Sequence, residues 1–203
     1  ADEVEHIMDA NIHLEEGAEY TYFERHVHSM DKGIKVIPKA KVTLDAHSRF
    51  STEFELIKGR VGLIDIDYEA ECGPYSVLEL LSRISGRQDD VIKIREAGNL
   101  HGEHSRGVLT SNIAVREQAR AEIYNELTAT AEGAAGHVDC NEIVQDQAHA
   151  KAIPIVDVRH PKAHVTHEAA IGSVDSKQLQ TLMSRGLSED EAVEMIIQGL
   201  LRK

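Results

Sequence analysis

The stretch IDIDYEAEC, residues 64–72, alternates apolar and acidic side chains. Successive side chains of a β-strand point to opposite faces, so this pattern predicts a strand with one buried and one solvated face. The apolar face carries Ile64, Ile66, Tyr68, Ala70 and Cys72. Because free cysteine packs as a small hydrophobe, we expect Cys72 to lie in the core.

Short stretches of the same kind recur on both sides of this strand and predict a body that is nearly all β. They cover residues 34–44, 49–57, 77–81, 91–94, 107–115, 121–130, 152–158 and 163–169. Turn residues separate them, and no long segment before Gly172 keeps an apolar stripe of helical period. A sandwich and a solenoid with two or three strands per coil both fit this spacing, and periodicity alone does not separate them.

The period changes after Gly172, where the sequence predicts two helices. The pairs Asp175–Gln178 and Ser188–Glu191 are typical of residues that cap helix N-termini. Gly186, between the two helices, is the expected stop signal of the first one. The second helix carries an apolar stripe formed by Val193, Ile196, Ile197, Leu200 and Leu201. These signals predict a helical hairpin.

The charge balance argues against negatively charged partners, which bind to positively charged protein surfaces. The 203 residues include 22 Lys and Arg against 35 Asp and Glu, which gives a net charge of −13. Nucleic acids and anionic membrane surfaces bind basic proteins, so we expect neither as a partner. The sequence shows no secretory signal and no run of about 18 apolar residues that would cross a membrane, so we expect a cytoplasmic protein. Two cysteines are too few for the disulfide framework of a small secreted domain.

The chain has 12 histidines, and some of them are paired. In a strand, His26 and His28 point to the same side and are able to chelate zinc or iron, as in a cupin. The glutamate that follows such a pair in the cupin pattern is missing, which favours structural histidines. The alternative hypothesis for the function of the chain is a β-helix or cupin-like metalloenzyme that uses His26 and His28. His101 and His104 lie among glycines and are expected in a turn.

Other enzyme classes find little support in the sequence. The common nucleophile, phosphate-loop and zinc-protease motifs are missing. Three Phe, five Tyr and no Trp argue against a carbohydrate-active solenoid, because sugar-binding grooves rely on aromatic platforms.

Cys140 has polar neighbours in the sequence. Asp139 and Glu142 are close enough to bind a metal together with the thiol or to change its acidity, and a structural thiol is the alternative. Coils of a solenoid stack about 4.8 Å apart, so a residue roughly 20 to 30 positions downstream is expected to stack over Cys140. His167 and Glu168 are in that range.

Several blocks of the sequence together resemble the SufB/SufD family. Towards the end, they are HVTHEAAIG at 164–172, Gln178-Leu179, MSRGLSE at 183–189 and residues 192–197 with Gly199. Upstream, GHVDCN at 136–141 and AIPIVDVR at 152–159 are similar to the family's cysteine-bearing coil and the strand after it, and NIHLEEGAE at 11–19 is similar to its opening coil. The likeness covers most of the 203 residues.

The resemblance implies a right-handed parallel β-helix over residues 1–172 and a C-terminal two-helix cap over residues 173–203. It implies a scaffold, not an enzyme, that assembles a transient iron–sulfur cluster together with a SufC-type ATPase. The cluster ligands that it carries over are Cys140, Glu168 and His167. It also implies a homodimer, or a pair with a SufB/SufD-like paralogue, joined near Cys140.

The resemblance further suggests that the helical hairpin is the docking surface for the ATPase, with a plain end cap as the alternative. The residues expected to contact the partner are Ser184, Arg185, Gly186, Glu189, Ala192 and Ile196.

The chain departs from the family pattern in two places. Glu24-Arg25-His26 stands where SufB usually has Glu-Gly-Cys, so the cysteine thought to accept sulfur there is absent. Leu200 replaces the phenylalanine of the last motif. Alternation adds a constraint on the site: His167 and Glu168 fall on opposite faces of a strand, so both do not face Cys140 within one coil.

Overall fold

The computed structural model describes residues 4–30 and 33–202, and shows twelve strands followed by two helices. The strands are β1 (Glu5–Leu14), β2 (Glu19–Val27), β3 (Lys35–Leu44), β4 (Arg49–Lys58), β5 (Leu63–Cys72), β6 (Val77–Gly86), β7 (Val91–Leu100), β8 (Arg106–Val115), β9 (Arg120–Ala129), β10 (Ala135–Val144), β11 (His149–Val158) and β12 (His164–Gly172). The helices are α1 (Ser176–Met183) and α2 (Glu189–Leu200). The outer limits of the two expected domains, at residues 1 and 203, lie outside the described residues, and the division into two domains stays a prediction.

The strands form two parallel sheets of six strands each, one from the odd-numbered and one from the even-numbered strands. Successive strands of a sheet are in register, with partners such as Leu63 and Val91 or Glu5 and Lys35. Each coil therefore contains two strands, and the chain forms a β-solenoid of about six turns. The predicted parallel β-helix is confirmed, and the sandwich is not formed because all the described strand pairs are parallel.

The core lies between the two sheets and is filled by the inward-facing residues of each strand. In β5 these are the residues that the sequence predicted, Ile64, Ile66, Tyr68, Ala70 and Cys72, and all five are buried. Cys72 is thus a core residue, as expected. Isoleucine, leucine, valine and alanine make up most of the core, and Phe50 and Phe54 are also buried in it. Stacks of similar aliphatic side chains fill the interior because each coil repeats the layer below it.

One corner of the solenoid carries a ladder of rings. His47, Tyr75 and His104 occupy equivalent turn positions with φ of 61°, 58° and 55°. The ring centroids of His47 and Tyr75 are 5.0 Å apart, and those of Tyr75 and His104 are 5.1 Å apart. The turn expected at His101 and His104 is confirmed, and His104 takes part in packing between coils.

The two helices that end the described chain are confirmed, with the caps that the sequence predicted. Asp175 accepts a hydrogen bond from the backbone N–H of Gln178, and Ser188 and Glu191 form a capping box. Gly186, just after α1, has a φ of 97°, which glycine adopts without steric cost.

The hairpin covers a flank of the solenoid. Val193 and Ile197 of α2 pack with Ala114 of β8, and Arg87 pairs with Glu194 at 2.5 Å. The last strand, β12, is exposed over most of its length. The helices therefore protect one side of the even-numbered sheet, and the end of the stack formed by β11 and β12 stays open to solvent.

Within the part of the chain that the structure describes, no helix is long and apolar enough to span a membrane.

Candidate functional site

Cys140 lies in the core, on the inner face of β10. Its register partners are Ser111 of β8 on one side and Ala169 of β12 on the other. The side chain is fully buried, and Asn125 Nδ2 lies 3.8 Å from Sγ. The thiol is thus one coil from the open end of the stack, below the exposed Ala169.

The surroundings of Cys140 keep its thiol protonated. Burial raises the pKa of Cys140 to about 11, and the negative charges of Glu142, Glu96 and Asp139 act in the same direction. Burial, followed by the charge of Asp139, also raises the pKa of Glu142 to about 7. A metal ion that binds Cys140 has to displace a proton, so binding at this thiol depends on pH.

A second buried carboxyl group lies on the inner face of the neighbouring sheet. Glu96 accepts a hydrogen bond from Ser82 Oγ at 3.0 Å, and burial raises its pKa to about 7. Its register partner in β9 is Asn125, the residue whose amide approaches Cys140. These side chains form a polar column through the apolar core, from Ser82 through Glu96 and Asn125 to Cys140.

Sequence reasoning missed this polar column. The signal that identifies it is a polar residue at an inner position of an alternating strand. In β7, Glu96 is the next inward-facing residue after Ile92 and Ile94, and all three are buried.

The register between β10 and β12 fixes the positions of the other two expected ligands. Ala169 stands over Cys140, whereas His167 stands over Val138 and Glu168 over Asp139. The expectation that His167 or Glu168 stacks directly over Cys140 is therefore wrong by one or two positions. His167 lies on the side of the buried Val138, and Glu168 lies on the opposite side, as alternation requires.

Both side chains are exposed at the open end of the stack. Among the described residues, Cys140, His167 and Glu168 do not form a group with ligand atoms within 4.8 Å of one another.

The hairpin residues expected to contact a partner differ in exposure. Ser184, Arg185, Gly186 and Glu189 are exposed, and Ile196 is half-buried. Ala192 is fully buried and supports the hairpin from inside. A cleft between the hairpin and the solenoid is lined by Arg87, Arg116, Leu187, Asp190, Met195 and Arg202.

His26 of β2 and His28, which follows the end of that strand, do lie close together, with His26 Nδ1 3.3 Å from His28 Nε2. A glutamate precedes the pair instead of following it as in the cupin pattern: Glu24 Oε1 lies 2.5 Å from His26 Nε2. His6 of β1 joins them, and its contact with Glu24 connects two strands that the sequence alone did not bring together.

The fold defines a parallel β-solenoid protein, with the buried Cys140 one coil from its open end. Residues 5–200 match the family model described as the SufBD core domain of the SUF system for iron–sulfur cluster assembly. The chain belongs to this family. The resemblance noted in the sequence is confirmed, and the metalloenzyme alternative is not favoured.

Relatives of the chain carry the same family description. An iron–sulfur cluster assembly SufBD family protein of Methanocaldococcus jannaschii is 39% identical over 198 residues, which are 98% of this chain and 63% of the relative. One of Pyrococcus horikoshii is 36% identical over 201 residues, 99% of this chain and 61% of the relative. The iron–sulfur cluster assembly protein SufB of Bacillus subtilis is 38% identical over 72 residues, 35% of this chain and 16% of the relative. The chain thus spans less than two thirds of the length of these relatives.

Proposed function

We propose that this protein is a scaffold component on which an iron–sulfur cluster is assembled, and that it works with a separate SufC-type ATPase in the cytoplasm. The observation that carries the proposal is the position of Cys140 one coil from the open end of the solenoid. Thiolate is the usual ligand of iron–sulfur clusters, and the family is described by their assembly. The cluster is cargo: it forms on the scaffold and is passed on.

Cys140 provides the thiolate, and His167 or Glu168 completes the site. His167 and Glu168 lie on opposite faces of β12. His167 shares the inner side with Cys140, and Glu168 projects from the outer side of β12. A site with one thiolate and imidazole or carboxylate ligands releases a cluster more readily than one with four thiolates, which suits transfer.

The open end of the stack is the surface through which two solenoids pair. The edge strand β12 is exposed, and edge strands with free backbone groups pair with further chains. We propose a homodimer, or a pair with a SufB/SufD-like paralogue, joined at this end. Such pairing brings Cys140 close to the interface and sets Glu168 of each chain near the joint.

The exposed part of the hairpin, Ser184, Arg185, Gly186 and Glu189, is the proposed docking surface for the ATPase. The ion pair between Arg87 and Glu194 ties α2 to the solenoid, so a force applied to the hairpin is transmitted to the even-numbered sheet. In this arrangement ATP hydrolysis takes place in the partner, and the scaffold itself performs no hydrolysis.

Anaerobic reconstitution with iron, sulfide and reductant tests the central residue. We expect the wild-type protein to develop charge-transfer absorption bands, and the Cys140→Ser variant to lose them. Cys72→Ser is the matched control, because Cys72 is also buried but lies on the inner face of β5, away from the open end. If Cys140→Ser develops the same bands as wild type, or if neither develops any with ATPase and ATP present, Cys140 is not a cluster ligand.

A further inference from the structure

We propose that His6, Glu24 and His26 form a binding site for one divalent transition-metal ion in the first coil of the solenoid. His6 is in β1, and Glu24 and His26 are on the inner side of β2. Among the described residues, this is the one group of three or more His, Cys, Asp and Glu side chains whose ligand atoms lie within 4.8 Å of one another.

The spacing of the three ligand atoms suits a small metal ion. Glu24 Oε1 lies 2.5 Å from His26 Nε2 and 3.3 Å from His6 Nε2. Zinc and similar ions bind nitrogen and oxygen at about 2.0–2.2 Å, which in a tetrahedral site sets neighbouring ligand atoms roughly 3.3–3.6 Å apart. A shift of roughly half an ångström in each of Glu24 and His26 therefore opens the site around an ion.

Two further residues hold the ligands in orientation. Tyr22 donates a hydrogen bond from its hydroxyl to Glu24 Oε2 at 3.0 Å, which leaves Oε1 directed at the two histidines. His28 Nε2 lies 3.3 Å from His26 Nδ1, so a proton on Nδ1 leaves the Nε2 lone pair of His26 free for the ion. Metal sites use such contacts around the ligands to fix the tautomer and the ring orientation.

The burial of the group distinguishes it from a chance cluster on the surface. Glu24 is 8% exposed, and the side chain of His26 is 10% exposed. In the next coil their register partners are Phe54 and Leu56, so these inner positions otherwise hold apolar core residues. The Phe54 ring packs under His26 with centroids 5.2 Å apart and closes the site on that side.

His6, whose side chain is 49% exposed, provides the open side of the site. Solvent and ions therefore reach the group from the β1 side.

The site is separate from the thiol site. Glu24 and Cys140 occupy inner positions of β2 and β10, which are four strand steps apart in the sheet, or about 19 Å at 4.8 Å per step. Two imidazoles and a carboxylate, without thiolate, suit zinc, iron(II), cobalt(II) or nickel(II). Three protein ligands also leave coordination positions free for water or another small ligand. This inference goes beyond the proposed function and does not depend on Cys140.

Titration of the metal-free full chain with cobalt(II), followed by its d–d absorption, tests the site. We expect one tightly bound cobalt per chain, and affinity reduced at least about tenfold in Glu24→Gln and in His6→Ala. His6 is half exposed, so its substitution does not threaten folding and keeps the test valid if Glu24→Gln fails to fold.

Two control variants separate this site from the alternatives. His13→Ala removes another exposed histidine of β1, which instead contacts Asp45 at 3.0 Å, and is expected to bind cobalt like wild type. Cys140→Ser is expected to keep cobalt binding even if it loses the cluster. The proposal is overturned if Glu24→Gln and His6→Ala bind cobalt as tightly as wild type, or if His13→Ala or Cys140→Ser lowers the affinity as much as they do.

Discussion

Ala169 lies in register with Cys140, so the last strand of the solenoid places a methyl group beside the buried thiol. Ala169 itself is exposed, whereas Cys140 is fully buried. Under the proposed function, the size of the Ala169 side chain would therefore set how easily iron and sulfide reach the thiol from the open end of the stack.

A larger side chain at this position is expected to slow cluster formation. Ala169→Leu covers the thiol without filling the core, because the position is exposed, and the rate of cluster formation in reconstitution should fall while the melting temperature stays close to that of wild type. Ala170→Leu is the matched control, since Ala170 is also exposed but stands over Asn141 on the other face of the strand. Equal rates for the two variants would mean that the thiol is reached by another route.

Glu96 is expected to make the stability of the protein depend on pH. Its pKa is raised to about 7 in the folded chain, so the folded state holds the proton more strongly than the unfolded state does. The free energy of unfolding then falls as pH rises from about 4.5 to about 7, by roughly 3 kcal/mol at most, and is constant above that range with respect to this group.

Denaturant unfolding at several pH values checks this expectation. Glu96→Gln should flatten the dependence, with Glu142, whose pKa is also raised to about 7, supplying a residual slope. Glu126→Gln, a change in the adjacent strand outside the core, should leave the dependence intact. A pH profile of Glu96→Gln identical to that of wild type contradicts the assignment.

The sequence predicts strands well where the inner face is apolar, and poorly where it is polar. The expected strand at 64–72 is found as β5, because its alternation of apolar and acidic residues is unbroken. The alternation rule missed β1, whose inner positions begin with the exposed His6, and also β2 and β10, whose inner positions carry Glu24 and Cys140 among other polar residues. Polar residues at inner positions interrupt the apolar pattern of these strands, and the same residues form the candidate sites.

Contacts between coils are harder to predict because they depend on the number of residues per coil. A difference of one residue changes which side chain stands over Cys140, and the observed register selects Ala169 over His167 and Glu168. The meeting of His6 with Glu24 likewise depends on how the chain turns between β1 and β2. The caps of both helices are local and were predicted, whereas the flank on which the hairpin packs was not.

Arg60 is expected to be a major contributor to stability. It contacts Asp90 at 2.8 Å, and Asp90 is 1% exposed, so Arg60→Ala leaves a buried carboxylate with the backbone N–H of Arg87 but without its ion-pair partner. Loss of one member of a buried ion pair costs about 3–5 kcal/mol, which we expect to see in the free energy of unfolding. Arg49→Ala removes an exposed pair with Glu79 and should cost at most about 1 kcal/mol. Similar losses for the two variants would show that the burial of Asp90 does not govern the effect.

The docking surface for the ATPase is tested by reversing one charge. Glu189 is exposed at the start of α2, so Glu189→Lys alters the surface and leaves the packing of the hairpin in place. We expect the dissociation constant for a SufC-type ATPase to rise about tenfold, or roughly 1.4 kcal/mol, with an unchanged melting temperature. Glu16→Lys, in the exposed turn between β1 and β2, serves as the control. Unchanged binding of Glu189→Lys would favour a hairpin that only covers the flank.

The proposed pairing at the open end makes a prediction about mass in solution. Sedimentation equilibrium should give twice 22.5 kDa at tens of micromolar, and dissociation at lower concentrations. Ile171 of β12 is 50% exposed at this end, and Ile171→Lys places a charge in the interface, so its equilibrium should shift to the monomer. Ile7→Lys is the matched control, because Ile7 is 62% exposed on β1 at the opposite end of the stack and should leave the dimer intact. A mass near 22.5 kDa at all concentrations would show that the protein does not form the proposed dimer. If Ile7→Lys gives a monomer and Ile171→Lys does not, the interface lies at the first coil and not at the open end.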